Sequence, residues 1–397
     1  MFTQRINRIT PSATLEMTSK AAELKRAGKP VYNMSVGEPD FDTPQHIQEA
    51  GINAIKNGFT KYTPGSGTFE LKEAICQKLK RDNNLNFNIK QIIVSCGGKH
   101  SLYNACQALF QKNDEVIIFS PYWVSFPDFI SITGATPVFV NTNHKQQYEP
   151  NFQDLEKKIS KKTKGIIINS PSNPTGGVWS DQAIKKLLFI LKAYKDIWIF
   201  SDECYEQLTY DKPFKSIATF DSSNNKIITF QSCSKTYAMT GWRIGYIAGN
   251  IKLVKAISKL QGQSTSCPNS IAQYAAIEAL VGNQKCIQTM KSIFKKRRDL
   301  ILCELKKIPN ISYEIPNGAF YVFPNFNNYL DSKDNKGNKI STSSDLSMYI
   351  LNTTGVVTVS GDSFGAPGHI RLSYATSEQT ILKAVDLINK TIQKLHF

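Results

Sequence analysis

The stretch Ser232-Cys-Ser-Lys-Thr-Tyr-Ala-Met-Thr-Gly-Trp-Arg-Ile-Gly245 places a lysine and an arginine among small and hydroxylic residues. An apolar run at residues 226–230 precedes it and a second run at residues 245–249 follows it, and both are typical of strands. Lys235 therefore lies just past a strand end, with Arg243 eight residues further on. In such a place an amine can meet an aldehyde and a cation can meet a phosphate.

Lys235 has an ordinary alternative interpretation as one more solvated lysine in a lysine-rich chain, because lysine side chains are rarely buried. Its surroundings argue against that interpretation. The loop lies between two predicted strands and not on a polar helix face, and hydroxylic residues flank the lysine. The spacing S-x-S-K-x-Y-x-M-x-G-x-R-x-G resembles the pyridoxal-phosphate lysine region of the class I/II aminotransferases.

The chain has 397 residues with a formal net charge of +16; 41% of its residues are hydrophobic and 20% are charged. This composition is ordinary for a globular protein, and the length allows two or three domains. The positive charge raises the question of a nucleic-acid partner. However, the lysines are spread along the chain, and the densest basic cluster, residues 295–298, falls in a helical pattern without a nucleic-acid-binding motif. We therefore expect no nucleic acid among the partners.

The eight cysteines contain no C-x-x-C pair, and the five histidines do not combine with them in a metal-ligand spacing. We expect reduced thiols and no metal site. The N-terminal residues lack the apolar segment of a signal peptide. No apolar run approaches the roughly 18 residues that a membrane helix requires. These features predict a cytoplasmic protein that does not interact with a membrane.

Short apolar runs alternate with helical patterns through the middle of the sequence. Continuous apolar strands separated by helices predict a mainly parallel sheet covered on both faces, which is an α/β fold. The predicted strands are residues 91–95, 115–119, 136–140, 165–169, 198–201, 226–230 and 245–248. The clearest helical patterns between them are residues 102–110, 181–194 and 253–260.

The pattern changes after about residue 285. A basic amphipathic helix at residues 287–305 leads to scattered strands at 319–323 and 356–359 and to a final helix at 378–395. This succession predicts a second, smaller α+β domain. Residues 331–344 are polar and rich in Lys, Asn and Ser, so we expect an exposed loop there.

A glycine pair follows the predicted strand at residues 91–95. Gly97 and Gly98 stand between that strand and a helix, where backbone N–H groups can close on a phosphate. A Walker loop is excluded, because Ile93 stands where that motif needs a glycine and His100 replaces its Ser/Thr. Taken alone, the pair is equally consistent with a tight structural turn.

Two further strand ends carry polar residues at the edge where ligands bind to an open α/β sheet. Asn173 stands between prolines that fix its backbone, although an ordinary Pro/Gly turn would have the same sequence. Asp202 follows the strand at residues 198–201, and a buried acid is costly there unless it meets a cation. The protonated ring nitrogen of pyridoxal phosphate is such a cation. Capping of a following helix is the alternative for Asp202.

Together these segments resemble the fold-type I aminotransferases over nearly the whole chain, with the best fit to the bacterial-type aspartate aminotransferases. The segments that carry the resemblance are Pro11-Ser-Ala-Thr14, Val36-Gly-Glu-Pro-Asp-Phe-Asp-Thr-Pro44, Lys61-Tyr62-Thr63, Gly97-Gly98-Lys99, Ser120-Pro-Tyr-Trp-Val124, the Asn173, Asp202 and Lys235 loops, and Ile370-Arg-Leu-Ser-Tyr-Ala375. The resemblance implies a large domain at residues 46–285 with a seven-stranded, mainly parallel sheet that binds pyridoxal 5'-phosphate. It also implies a small domain formed by residues 1–45 and 286–397.

The resemblance implies a role for each matching residue around the cofactor ring. Lys235 bonds the cofactor and then acts as acid and base in the proton transfer, and Asp202 holds the proton of the ring nitrogen. Asn173 and Tyr205 contact the phenolic oxygen of the ring, and Trp123 stacks on the ring. The predicted phosphate ligands are Ser232, Arg243, Gly97, Gly98 and, from the partner subunit of a homodimer with shared active sites, Tyr62.

The substrate contacts follow from the same resemblance. Arg371 grips the α-carboxylate, a bidentate task suited to guanidinium. Lys99, Ser12 and Thr14 match the residues that read the distal carboxylate of a dicarboxylic amino acid. The remaining predicted substrate contacts are Gly37, Trp123 and Asn173. The implied reaction transfers the amino group between L-aspartate and 2-oxoglutarate by a ping-pong mechanism.

Alternatives remain open at the sequence level. An aromatic or broad-specificity aminotransferase, or a C–S lyase, would keep the cofactor contacts and change only the substrate contacts. Relatives that accept prephenate tend to carry a basic residue before the Pro-Ser-Ala-Thr segment, and Thr10 stands there in this chain. A DNA-binding regulator of this fold would need a domain before residue 11, where the aminotransferase pattern begins. The Gly361-Asp-Ser363-Phe-Gly365 match to a nucleophile elbow lacks the required strand-turn-helix context.

Overall fold

The strands coincide with the short apolar runs of the sequence. The computed structural model describes residues 3–11, 13–221, 223 and 225–396, and for residues 13–16 and 18 it describes the backbone. In chain order the strands are β1 (Tyr32–Asn33), β2 (Ile92–Ser95), β3 (Glu115–Ser120), β4 (Thr136–Asn143), β5 (Glu149–Pro150), β6 (Thr163–Asn169), β7 (Trp198–Asp202), β8 (Ile227–Ser232), β9 (Gly245–Ala248), β10 (Tyr321–Val322), β11 (Ser332–Lys333), β12 (Lys339–Ile340), β13 (Val356–Val357), β14 (Val359–Ser360) and β15 (Ile370–Ser373).

The helices between them are begun mostly by side-chain caps from Thr, Ser or Asn, such as Thr68, Ser180 and Asn250. In chain order they are α1 (Ala13–Arg26), α2 (Gln45–Lys56), α3 (Phe69–Asn83), α4 (Gly98–Leu109), α5 (Phe126–Ser131), α6 (Phe152–Lys158), α7 (Asp181–Leu191), α8 (Cys233–Thr236), α9 (Ile251–Gly262), α10 (Ser270–Val281), α11 (Lys285–Leu305), α12 (Ser343–Thr354) and α13 (Glu378–Ile392).

The seven predicted strands lie in one sheet, in the order β2-β9-β8-β7-β6-β3-β4-β5. Strands β8, β7, β6, β3 and β4 run parallel, and β9 is antiparallel to both of its neighbours. The eighth strand, β5, was not predicted. A short turn at His144–Gln146 reverses the chain, so that Glu149–Pro150 pairs with the end of β4 at the sheet edge. The predicted α/β fold class is confirmed.

Both faces of the sheet are covered by helices because its strands are apolar on both sides. In β2, Ile92 and Val94 pack into one core with α2, α3, α7 and α10. The residue between them, Ile93, packs into a second core with α4, α5 and α9. The alternation follows from the two-residue period of a strand. The sheet is therefore held rigidly between two helical layers, and its strand ends are fixed in place.

A third hydrophobic core lies outside the sheet. It combines α11, α12 and α13 with β10 and β15, and Phe294, Ile350 and Ile388 are buried in it. The N-terminal strand β1 pairs with β13, which joins residues near the start of the chain to this part of the fold. The domain bounds at residues 46–285, 1–45 and 286–397 stay a prediction.

The polar segment at residues 331–344 differs from the expected exposed loop. It contains the antiparallel pair β11–β12, closed by a turn at Asp334–Gly337, and Ser332 and Ile340 are buried. Composition concealed this hairpin because each strand has only two residues. Helix α12 then begins at Ser343 with a capping box from Thr342.

Three other sequence interpretations concern absences. Gly361–Phe364 forms a 3-10 turn between β14 and β15, which is not the strand-turn-helix context of a nucleophile elbow. Within the described ranges, no helix combines the length and apolarity needed to cross a bilayer. The same residues bring together no group of three or more His, Cys, Asp or Glu side chains suited to a metal; the lack of a metal site stays a prediction.

Candidate active site

A cavity of about 260 Å³ opens at the carboxyl ends of the parallel strands. The register of β6 and β7 brings Asn169 beside Asp202, and that of β8 and β9 brings Ser232 beside Gly245. The predicted site residues that line this cavity are Gly37, Gly98, Lys99, Trp123, Asn173, Asp202, Tyr205, Ser232, Lys235, Arg243 and Arg371. Residues far apart in sequence thus meet at one sheet edge, as expected for an open α/β sheet.

Lys235 does not lie in an open loop but in the short helix α8, which follows β8 directly. Its Nζ donates a hydrogen bond to the backbone oxygen of Gly37 at 2.5 Å. Burial lowers the pKa of Lys235, and the nearby Arg243 and Arg371 lower it further, against Cys204 and Glu38, which raise it. The site therefore shifts the protonation equilibrium towards the neutral amine, which is the nucleophilic and basic form.

The glycine turn and Arg243 form a cradle at the N-terminus of α4. The backbone N–H of Gly97, a predicted phosphate ligand, already donates to the backbone oxygen of Ser95 at 2.7 Å. Gly97 has a φ of 92° and caps α4, and a Cβ atom there would lie 2.4 Å from Nη2 of Arg243. The guanidinium donates to the backbone oxygens of Thr240 at 2.7 Å and Cys96 at 3.4 Å. Ser232 Oγ lies beside them and donates to Ser234 Oγ at 2.7 Å. A helix N-terminus, two hydroxyls and a guanidinium together suit a phosphate.

Asp202 is buried, with 7% of its surface exposed. Its Oδ1 accepts the backbone N–H of Cys204 at 3.2 Å within a turn. The next element after β7 is a 3-10 turn at Ile217–Thr219, so the alternative interpretation of Asp202 as the cap of a following helix is wrong. No ion pair to Asp202 is found among the described residues. Burial therefore raises the pKa of Asp202 to about 7. A cationic group placed in the cavity would supply the missing partner.

Arg371 is fully buried and points into the cavity from β15. Its Nη1 donates to Oδ1 of Asn173 at 2.9 Å and its Nη2 to the backbone oxygen of Ser35 at 2.6 Å. Its Nε is buried and has no partner among the described residues. A buried guanidinium with an unpaired N–H is suited to a carboxylate ligand.

Lys99 and Trp123 also line the cavity. The Lys99 amine lies 4.9 Å from the centre of the Trp123 indole, and Phe126 and Phe129 pack edge-on against that indole. Burial and the charge of Arg243 lower the pKa of Lys99. The cavity therefore holds two separate cationic side chains, Lys99 and Arg371, which suits a ligand with two carboxylates.

Two predicted site residues, Tyr62 and Gly97, do not line the cavity, and the side chains of two more, Ser12 and Thr14, lie outside the described part of the structure. Tyr62 is 90% exposed on its own chain. Ser12 lies outside the described residues, and Thr14 lies in the first turn of α1, where only the backbone is described. Gly97 stands directly behind the lining residue Gly98 in the cradle. The roles of these residues stay predictions.

Sequence reasoning missed several lining residues, of which Tyr321 is the most closely connected to the site. Its hydroxyl lies 2.9 Å from that of Tyr205, and its ring packs under Arg371. The missed lining residues that carry polar groups are Ser234, Cys204, Thr240, Asn169, Gln231 and Tyr321. Ser234 was within reach, since the quoted motif contains both serines. Tyr321 was not, because it lies on β10, outside the large sheet whose strand ends carry the recognisable motifs.

The family model for aminotransferase class I and II matches residues 29–388, and the chain therefore belongs to that family. A probable aspartate/prephenate aminotransferase of Rhizobium leguminosarum bv. phaseoli is 43% identical over 388 residues, which is 97% of each chain. The solved aspartate aminotransferase of Rhizobium meliloti has a TM-score of 0.95 and 38% identity, covering 100% of this chain and 99% of that one. The solved aspartate aminotransferase of Thermus thermophilus with maleate has a TM-score of 0.92 and 35% identity, covering 98% of this chain and 99% of that one. The predicted family is confirmed.

Proposed function

We propose that this chain is a pyridoxal 5'-phosphate-dependent aminotransferase that exchanges the amino group between L-aspartate and 2-oxoglutarate by a ping-pong mechanism. One observation carries the proposal: the amine of Lys235 lies in a single cavity with an unpaired buried acid, an anion cradle and two cationic side chains. Family membership and the names of the relatives support it.

The residues present fit this cofactor. In the cradle, Gly98, Ser232 and Arg243 offer donors for a phosphate, and a side chain at Gly97 would fill it. Asp202 lacks a cation that a protonated ring nitrogen would supply. When bound, the cofactor supplies an electron sink for the charge that develops on the substrate α-carbon.

Lys235 holds and moves the proton. Its lowered pKa increases the neutral share of the amine, and the neutral Nζ can accept the α-proton of the substrate and return it to a neighbouring atom. Gly37 holds Nζ through its backbone oxygen until a ligand competes for it. Asp202, at the end of β7, lines the same cavity and would hold the proton of the ring nitrogen.

Arg371 and Lys99 would divide the recognition of a dicarboxylate. Arg371 takes the α-carboxylate in our proposal, with Asn173 and Ser35 fixing its guanidinium. Lys99 takes the distal carboxylate, and Ser12 and Thr14 assist it. In the Lys99→Met variant, we expect kcat/KM for aspartate to fall by about 10- to 150-fold, since a charged hydrogen bond contributes about 1.5–3 kcal/mol.

Alanine is the control substrate for this variant because it lacks the distal carboxylate. Its kcat/KM should change less than about threefold in Lys99→Met. Equal losses for aspartate and alanine would show that Lys99 does not read the distal group.

A homodimer with shared sites is part of the proposal, because Tyr62 is exposed on its own chain and the resemblance places it in the partner's site. Mixing the inactive Lys235→Ala chain with a Tyr62→Ala chain of low cofactor affinity tests this. Mixed dimers contain one intact site if Tyr62 acts across the interface, and activity should then exceed that of either parent. No gain after subunit exchange would mean that Tyr62 acts elsewhere.

Prephenate is the second candidate substrate, favoured by the name of the 43% identical relative. In this chain Thr10 donates from its backbone N and its Oγ1 to Asp128, at 3.1 and 3.3 Å, where a basic residue is expected in prephenate-accepting relatives. We expect the wild type to transaminate aspartate faster than it transfers the amino group of glutamate to prephenate. We expect the Thr10→Lys variant to turn over prephenate faster than the wild type does. Prephenate turnover as fast as that of oxaloacetate in the wild type would reverse this order.

The absorbance spectrum of the purified protein, before and after L-aspartate without a keto acid, tests the proposal directly. A visible band that aspartate converts to a near-ultraviolet band supports cofactor, half-reaction and substrate together. Lys235→Ala is the control, since it should bind the cofactor without that band and lose turnover. No band after incubation with pyridoxal 5'-phosphate would overturn the proposal, and acceptor-free ammonia release from cystathionine would favour the C–S lyase.

A further inference from the structure

Two tyrosine hydroxyls that line the cavity are hydrogen-bonded to each other. Tyr321 OH is 2.9 Å from Tyr205 OH, and the guanidinium carbon of Arg371 is 4.5 Å from the centre of the Tyr321 ring. Tyr321 lies on β10, which pairs with the strand β15 that carries Arg371. One fully buried side chain therefore contacts both the cation suited to a carboxylate and the tyrosine predicted to contact the cofactor.

Either hydroxyl can donate this hydrogen bond, since each has one proton and both side chains line the cavity. Within the described structure neither hydroxyl has another hydrogen-bond partner. The resemblance places Tyr205 at the phenolic oxygen of the cofactor, and in that contact the Tyr205 proton is directed to the ligand. Tyr321 is then the donor within the pair, because otherwise its own proton would have no acceptor. The ligand oxygen would then satisfy both hydroxyls.

The surroundings keep both hydroxyls protonated. Burial raises the pKa of Tyr321, and burial together with Tyr321 raises that of Tyr205. The charged and titratable groups that face Tyr321 are Arg371, which lowers its pKa, and Cys204 and Glu38, which raise it. Both side chains are therefore O–H donors at neutral pH.

The ring of Tyr321 has a separate task. The guanidinium carbon of Arg371 lies 4.5 Å from the centre of that ring and 5.2 Å from the centre of the Phe364 ring. Both aromatic faces attract the planar cation by cation–π interaction. The orientation of Arg371 therefore depends on the Tyr321 ring, while the orientation of the Tyr205 proton depends on the Tyr321 hydroxyl.

We propose that Tyr321 is a positioning residue with two functions: its hydroxyl directs the Tyr205 proton towards the phenolic oxygen of the cofactor, and its ring fixes Arg371 for the substrate carboxylate. The inference rests on the proposed function. A hydroxyl that accepts a hydrogen bond is the stronger donor, so Tyr321 strengthens the contact that Tyr205 makes.

Two substitutions separate the functions. Tyr321→Phe removes the hydroxyl and keeps the ring. The negative charge on the cofactor oxygen is then less stabilised, so the pH midpoint of the visible band should rise by about half to one unit. We expect kcat to fall about fivefold and KM for aspartate to change less than about twofold. Tyr321→Leu removes the ring as well, and the Kd of maleate should then rise about tenfold.

Tyr374→Phe is a matched control in the same hydrophobic core. The Tyr374 hydroxyl is fully buried, 3.4 Å from that of Tyr210 and 3.3 Å from the backbone oxygen of Ala319, and it does not line the cavity. Its loss should lower the melting temperature as Tyr321→Phe does, without moving the pH midpoint or kcat.

The outcomes distinguish this inference from the proposed function. If the visible band of Tyr321→Phe has the same pH midpoint as that of the wild type, the role of the Tyr321 hydroxyl is overturned. The aminotransferase proposal would still stand. An equal shift in Tyr374→Phe would also overturn it, since general loosening of the core would then explain the effect. Unchanged maleate binding in Tyr321→Leu would overturn the role of the ring. Absence of the band in the wild type would contradict the proposed function itself.

Discussion

Two acids in one five-residue segment, Asp202 and Glu206, are buried to the same degree and have opposite surroundings. Their exposed fractions are 7% and 6%. Glu206 forms an ion pair with Lys78 and accepts hydrogen bonds from Asn83 at 2.6 Å and Gln231 at 3.0 Å. Asp202 accepts one backbone N–H and faces the cavity. A buried charge that the chain satisfies belongs to the fold, whereas one left unsatisfied at a cavity predicts a ligand.

The partners of Lys78 make the contrast sharper. Its three N–H donors meet three acceptors, on Glu206, Asn83 and Gln231, and only 2% of the residue is exposed. Gln231 is the residue before the cradle residue Ser232, so this buried cluster supports the site from below. Nothing in the cluster is left for a ligand.

Asp202→Asn should show the largest effect. The neutral amide cannot hold the proton of a cationic ring nitrogen, and loss of a buried charge pair of about 4 kcal/mol corresponds to about 10³-fold in kcat. The stability of the cofactor-free protein should not fall, because an unpaired buried acid is removed. Steady-state kinetics and urea unfolding measure both quantities. Glu206→Gln is the control, and its kcat per folded molecule should change less than about tenfold. An equal loss of kcat in both variants would mean that Asp202 and Glu206 do not differ in their roles.

Lys78→Met should have the reverse profile. It leaves Glu206 as an uncompensated buried charge, so the free energy of unfolding should fall by about 3–5 kcal/mol, as measured by urea denaturation. The double variant Lys78→Met/Glu206→Gln should recover part of the loss, because the uncompensated charge is gone. A loss below about 1 kcal/mol in the single variant would mean that the cluster is not a stabilising ion pair.

The pH dependence of stability gives the smallest effect. The unfolded chain releases the Asp202 proton near its ordinary pKa of 3.8, whereas burial raises the pKa in the folded chain to about 7. The folded state therefore binds more protons between these values, and stability of the cofactor-free protein falls as pH rises through this window. One such group contributes at most about 1.4 kcal/mol per pH unit.

The Asp202→Asn variant lacks this titrating group, so its stability should fall less steeply as pH rises. Melting temperatures of both proteins across the pH range would measure the difference. Glu203, whose pKa burial also raises to about 7, keeps its share in the variant. Identical slopes in the wild type and the variant would show that Asp202 is already ionised in the folded protein.

The sequence predicts the unsatisfied acid better than the satisfied one. Asp202, Asn173 and Lys235 each follow an apolar run, and the carboxyl ends of parallel strands must meet at one edge. Lys78, in contrast, stands on α3 in a run of charged residues, where a solvated position is the natural expectation. Its burial results from the packing of α3 near Glu206 and Gln231, which are 128 and 153 residues away. No local pattern encodes that distance.

The same reasoning separates the other successes and failures. The seven strands were predictable from continuous apolar runs, while β5 and the β11–β12 hairpin were not, because two-residue strands leave no periodicity. Tyr321 was missed because β10 brings it to the site from outside the large sheet, next to Arg371. Residues that act through tertiary pairing of distant strands leave no spacing to recognise.

The backbone contacts among the glycines of the cradle set a limit on protein engineering. A Cβ atom at Gly245 would lie 2.2 Å from the backbone N of Gly98, and one at Gly97 would meet the guanidinium of Arg243. In a saturation library Gly97 and Gly245 should therefore accept almost nothing but glycine, whereas a Cβ atom at Gly98 would meet only ordinary contacts with Ser232, at 3.4 Å or more. Gly97 and Gly245 therefore have almost no freedom to evolve one residue at a time.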